Sequence, residues 1–169
     1  MATRVRYDDV SVGDELPTAD LHVQRVNLVQ YCGASGDFNV IHWNERIAKM
    51  VGLPDVIAHG MFTMASAGRV VTDWVGDPGA VVEYGVRFSA PVVVPDDDKG
   101  AVVTVAGRVE EKLPDNRVVI VLEARAGDAK VLSGARAVVL MDRPAARANP
   151  PGKRLSRCVP GSRSGRSCT

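Results

Sequence analysis

The chain has 169 residues, 46% hydrophobic and 24% charged, with aromatics at only 5%. That reads as one folded domain, with or without a tail, whose core rests on Val, Ala, Leu and Ile. It excludes a mostly disordered chain and argues against base stacking on single-stranded nucleic acid. No apolar run approaches the ~18 residues of a membrane span, and Met1–Arg6 has no apolar stretch behind it, so no secretory leader is expected. Cys32, Cys158 and Cys168 form no CxxC and no disulfide framework, which makes a cytoplasmic protein the expectation.

The formal net charge of +1 hides a split. Residues 1–142 carry 14 Lys+Arg and all 20 Asp+Glu; residues 143–169 carry 7 Lys+Arg and no acid. The second stretch contains Asn149-Pro150-Pro151-Gly152 and Ser162-Arg163-Ser164-Gly165. Such a composition buries too little apolar surface to offset chain entropy. The expected organisation is therefore a domain over 1–142 and a basic, disordered tail over 143–169.

In chain order, Leu21–Val26 alternates like a strand, and Asn27 can cap a short helix running to about Ala34. Ser35-Gly36-Asp37-Phe38-Asn39 is a loop. Asn44 can cap a second short helix, ended by Gly52 and Pro54. His59–Val75 is the main helix, apolar nearly all round in its first half, which predicts burial. Gly76-Asp77-Pro78-Gly79 stops it. Four strands follow, over Val81–Val94, Val102–Val109, Val118–Ala124 and Lys130–Met141, with turns at Pro95–Gly100, Leu113–Asn116 and Gly127-Asp128. One strand, helices, then strands in series is an α+β pattern: an antiparallel sheet with a buried helix on one face.

The chemistry-bearing side chains cluster between Tyr31 and Met61. Asp37 and His42 are five residues apart, too far round to share a helix face, but a loop entering a short helix can aim both at one pocket. A carboxylate and an imidazole suit a reaction that takes one proton and gives another near neutrality. The same residues also read as a loop-turning Asp and a satisfied, buried His. Ala58-His59-Gly60-Met61 opens the main helix without a Ser, Thr, Asp or Asn cap. Its first N–H groups need partners, and together with the helix dipole they can hold a developing oxyanion. Gly60 leaves its N–H open to a ligand, or alternatively permits tight packing; His59 reads as a structural residue at the helix start. Cys32 reads as a small core residue. With no HxxxH and no His/Cys cluster, neither a metal site nor a cofactor is expected.

Tyr31-Cys32-Gly33-Ala34-Ser35-Gly36-Asp37-Phe38-Asn39-Val40-Ile41-His42, with Ala48 six residues on, resembles the signature of the MaoC-like (R)-specific hydratases. Ala58-His59-Gly60-Met61 resembles their second block. Ile41-His42-Trp43-Asn44, Thr72–Val81 and Val86-Arg87-Phe88 narrow the likeness to HadB-type catalytic subunits of (3R)-hydroxyacyl-carrier-protein dehydratases, which serve mycolic-acid-type elongation. The resemblance covers about Val5 to Met141. It implies a single hot-dog fold, an antiparallel sheet wrapped around one long helix. It implies dimers with active sites at the subunit interface, as a heterodimer with a sister hot-dog subunit or a homodimer. It implies an acyl-carrier-protein or acyl-CoA thioester substrate, and no membrane or nucleic-acid partner. By the same resemblance Asp37 and His42 are catalytic, the Gly60 N–H binds the thioester oxygen, and Asn39 holds the loop. Val40 stands where the family usually has Pro, and Asn44 where Asp is common. Gly68 replaces a Ser found in some members, so no role is carried to it. A non-catalytic acyl-binding subunit and a hot-dog thioesterase are the alternatives.

Overall fold

The valine-rich second half of the chain forms a sheet. In β3 (Ala101–Leu113), Val103, Val105 and Val109 are buried while Thr104, Ala106 and Arg108 are exposed. The computed structural model describes residues 5–141. Among these, β1 (Glu15–Val23), β3, β4 (Arg117–Ala126), β5 (Ala129–Leu140) and β2 (Val81–Phe88) form one antiparallel sheet in the order β1-β3-β4-β5-β2. Asp115 and Asn116 both adopt left-handed backbone, at φ 60° and 57°, to close the β3–β4 hairpin. In β5 an extra residue at Ser133-Gly134 shifts the register against both β2 and β4, and Gly134 supplies the φ of 55° this needs. A bulge there bends the sheet.

The curved sheet wraps α3 (Gly60–Val75), which touches all five strands. Thr63, Ala67, Val70, Val71 and Val75 form its buried stripe. The opposite side, with Met61, Ala65, Arg69 and Asp73, is exposed, so the expectation of a helix buried nearly all round fails in this chain. Tyr84 of β2 lies across Gly68, where a Cβ would meet its ring at 3.0 Å, and donates its hydroxyl to the Met64 carbonyl at 2.9 Å. Burial pushes that phenol up to about 12. Any serine at position 68 would have to displace this ring.

Several boundaries depart from the sequence reading. β1 starts at Glu15 rather than Leu21, through Pro17; it is an edge strand, where a missing N–H costs no ladder bond, and its register slips between Leu16 and Ala19. It stops at Val23, and Val26 belongs to α1 (Arg25–Ser35). The N-cap of α1 is Gln24, not Asn27: the two form a reciprocal capping box with Asn27 as the third helical residue. The strand expected over Val81–Val94 leaves the sheet after Phe88, and Val93 then pairs with Ile57 in an isolated bridge. The proposed tail, 143–169, lies outside the described residues.

Candidate active site

The site is built by the loop between α1 and α3. Gly36 ends α1 at φ 75°, returning its N–H to the Cys32 carbonyl at 2.9 Å, and so turns the chain just before Asp37. Asp37 takes a hydrogen bond from the Asn39 N–H at 3.1 Å and donates its own N–H to Ser35 Oγ at 3.2 Å. The Asn39 side chain accepts from the Ile41 N–H at 3.3 Å and caps a 3-10 turn over Val40–His42. Trp43 Nε1 donates back to the Phe38 carbonyl at 3.1 Å. These local bonds fix the loop at the position where Val40 replaces the usual proline. As expected, Asn44 caps α2 (Glu45–Met50), accepting from the Ile47 N–H at 3.1 Å.

The loop brings Asp37 and His42 together with a third group, His59. One donor atom from each of the three lies within 4.8 Å of the others. His42 is buried and its Nδ1 sits 2.7 Å from the Ile57 carbonyl. A carbonyl only accepts, so Nδ1 carries the proton and the neutral ring offers a bare Nε2. His59, 2% exposed, stacks on His42 with centroids 3.7 Å apart and planes 25° from parallel. Its Nε2 is 3.1 Å from the Asp37 carbonyl and 3.6 Å from Cys32 Sγ, while its buried Nδ1 has no partner. Burial holds the His59 imidazole below its ordinary value, and neighbouring His42 acts the same way; the Asp37 carbonyl and carboxylate pull in the opposite direction. Asp37 itself is exposed.

Although three possible metal ligands meet here, imidazole lone pairs lie in the ring plane. Two nearly parallel stacked rings aim them side by side rather than at one point, a poor start for a tetrahedral or octahedral ion. The set suits proton transfer better.

Gly60 opens α3 with His59 as its N-cap, and no side chain caps the helix. No described residue accepts a hydrogen bond from the Gly60 N–H. A Cβ on Gly60 would lie 3.0 Å from the Phe88 ring, so the tight-packing reading of this glycine also holds. A cavity of about 360 Å³ runs from His42 and Gly60 past Thr63 and Phe88 to Val131 and Leu132. It is walled mainly by apolar side chains.

The sequence reading took His59 only as a structural residue at the helix start and did not single out Arg25. His59 reaches Asp37 across 22 positions in sequence, and Arg25 ties the loop down from outside. Arg25 contacts Asp55 at 2.6 Å, Glu45 at 3.1 Å and the Val94 carbonyl at 3.1 Å. A cation in the first turn of a helix opposes the helix dipole, so Arg25 at that position was a readable sign of acidic partners elsewhere. A histidine at an N-cap, where it cannot cap, was a sign of the same kind.

Residues 9–124 match the family model for the MaoC like domain. Over 79 residues the chain is 40% identical to the 3-hydroxyacyl-thioester dehydratase X of Mycobacterium tuberculosis, covering 47% of this chain and 27% of that protein. Over 107 residues it is 32% identical to the (R)-specific enoyl-CoA hydratase of Rhodospirillum rubrum, covering 63% and 73%. A solved MaoC-like dehydratase superposes with a TM-score of 0.78 at 44% identity, covering 80% of this chain and 42% of that one. The chain thus spans well under half the length of two of these proteins. Because that family model matches more than half of the chain, the chain belongs to the MaoC-like domain family.

Proposed function

We propose that this chain is the catalytic subunit of a 3-hydroxyacyl-thioester dehydratase, running in reverse as an (R)-specific enoyl-thioester hydratase. The observation that carries this reading is the meeting of the Asp37 carboxylate and the His42 ring beside the unpaired N–H at the start of α3. In dehydration, the thioester oxygen sits at the Gly60 N–H, which stabilises the charge that develops as C2 loses its proton. His42 Nε2 takes that proton. The electron pair becomes the C2–C3 double bond, and hydroxide leaves C3 with a proton from the Asp37 carboxyl, as water. Hydration runs through the same positions backwards. Asn39 keeps the Asp37 loop in shape.

Asp37 needs an apolar enclosure to hold that proton. Asp37 is exposed in the single chain, and in this proposal a second hot-dog subunit, from a sister chain or a copy, supplies that enclosure. The HadB-type run Thr72–Val81 supports a cytoplasmic, carrier-protein-linked substrate of mycolic-acid-type elongation, with coenzyme A thioesters as surrogates. Residues 1–142 are the proposed catalytic domain.

Thioester hydrolysis fits less well. From Gly60 onward, α3 carries no carboxylate before Asp73, which is ~20 Å along the helix at ~1.5 Å per residue. The test is hydration of crotonyl-CoA by the full chain, with thiol release followed in parallel. Asp37→Asn and His42→Ala should each lose about 100-fold or more in turnover. Full activity in both variants, or thiol release without hydration, overturns the assignment.

A further inference from the structure

We propose that His59 is a positioning residue for this chemistry: bonded to the Asp37 carbonyl and stacked on His42, it holds the carboxylate and the base in register. The inference rests on the hydratase reading and adds to it a residue that touches no substrate atom.

His59 occupies the N-cap position of α3. Asn, Asp, Ser or Thr there would satisfy an orphan N–H and stabilise α3 by ~1 kcal/mol. His59 does not cap, so its imidazole serves something other than its own helix. The ring is 2% exposed and turned inward, against Tyr31 at 4.8 Å between centroids and against His42 at 3.7 Å. The Asp37 carbonyl can only accept, so the Nε2 atom 3.1 Å away carries the proton. Nδ1 is then the bare nitrogen, and it is the buried atom without a partner. An unpaired buried acceptor costs stability. The geometry therefore gives up some stability to keep the ring in this one place and tautomer.

Two consequences follow for the reacting groups. The Asp37 backbone is pinned at both ends, its N–H by Ser35 Oγ and its carbonyl by His59 Nε2, so the carboxylate projects from a fixed anchor. The His42 ring is held at its edge by Ile57 and on its face by His59, which leaves Nε2 with a single direction. Asp37, His42, Cys32 and Tyr31 are the titratable groups that face His59. Of these, His42 gains a positive charge during turnover. A neutral neighbour 3.7 Å away accepts that charge, whereas a second cation would oppose it.

The test uses the full chain, crotonyl-CoA as probe, and two substitutions. His59→Phe keeps the ring stack and removes the donor; His59→Gln restores a donor near the Nε2 position. In the folded His59→Phe protein, kcat should fall about 10-fold or more with KM within about threefold, since mispositioning of this kind acts on turnover. His59→Gln should recover most of the loss. His59→Phe with unchanged kcat, or a loss that Gln does not rescue, overturns the proposal. A second measurement needs no variant. Nitrogen-15 NMR of histidine-labelled protein near about pH 8 should show one buried ring as the neutral Nε2–H tautomer. A neutral His59 ring that carries its proton on Nδ1 overturns the proposal as well. If His42→Ala is also fully active, it is the hydratase reading that fails; if only His59→Phe is, the positioning role fails alone.

Discussion

The two halves of the molecule are stabilised by different physics. In β3, β4 and β5, long strands bury many apolar residues, and each buried side chain contributes through area removed from water. Between Gly36 and His59 there is little regular structure, and the chain is held by individual polar bonds, Asn39 to Ile41, Trp43 to Phe38 and His42 to Ile57, with Arg25 gathering Asp55, Glu45 and the Val94 carbonyl. The sheet can lose a methylene and repack. The loop has fewer ways to compensate for a loss, and in the proposed function it carries the proton chemistry.

Substitutions that strike one half and spare the other sharpen this contrast. The largest expected effect on stability is in the sheet: Ile120→Ala, at a fully buried central position, should cost about 2–5 kcal/mol in denaturant unfolding. The turnover number of the remaining folded protein should hardly change. Arg25→Met should cost less, about 1–3 kcal/mol, by leaving the half-buried Asp55 carboxylate unpaired. Unlike Ile120→Ala, it should also lower kcat, because Asp55 and Glu45 frame the loop. Asn39→Ala should cost about 1 kcal/mol as a lost cap, and its kcat should fall more than its melting temperature suggests. If Arg25→Met and Asn39→Ala reduce stability alone, the division between the halves is wrong.

A smaller effect comes from pH. His59 is held below its ordinary value of 6.5 in the folded chain. As pH falls through 6.5, the unfolded state binds a proton that the folded state refuses, so stability drops until the folded ring protonates too. His59→Phe removes this contribution. Its melting temperature should therefore change less between about pH 7.5 and 5.5 than the wild type's. The smallest effect is expected from Lys49→Ala, since the Lys49–Glu45 pair is exposed to solvent and its loss should leave the melting temperature unchanged.

What was legible in the sequence follows the same division. The alternation Val103, Val105, Val109 announced a strand because burial on one face leaves a period of two, and the continuous run Val118–Leu122 announced another through its β-branched residues. The capped α2 and the glycine ends of α1 and α3 were legible because Asn44, Gly36 and Gly76 act on their immediate neighbours. The start of β1 was hidden by Pro17, which only an edge position tolerates, and edges are a property of the whole sheet. Asn27 was misplaced because a capping box uses two residues and either can be taken for the cap. In the site, Asp37 and His42 were visible as a signature. The contact of His59 with Asp37, and of Arg25 with Asp55, were not, because each joins residues more than 20 positions apart with no periodicity to mark them.

The central claim is that His42 and Asp37 handle the two protons of a reversible dehydration. The most direct measurement is hydration of crotonyl-CoA in deuterium oxide by the full chain, reading both deuterium at C2 and configuration at C3. The account predicts (3R)-3-hydroxybutyryl-CoA with a single deuterium at C2, its formation slowed about 100-fold or more by either His42→Ala or Asp37→Asn. A (3S) or racemic product, or an undiminished rate in both variants, would contradict it.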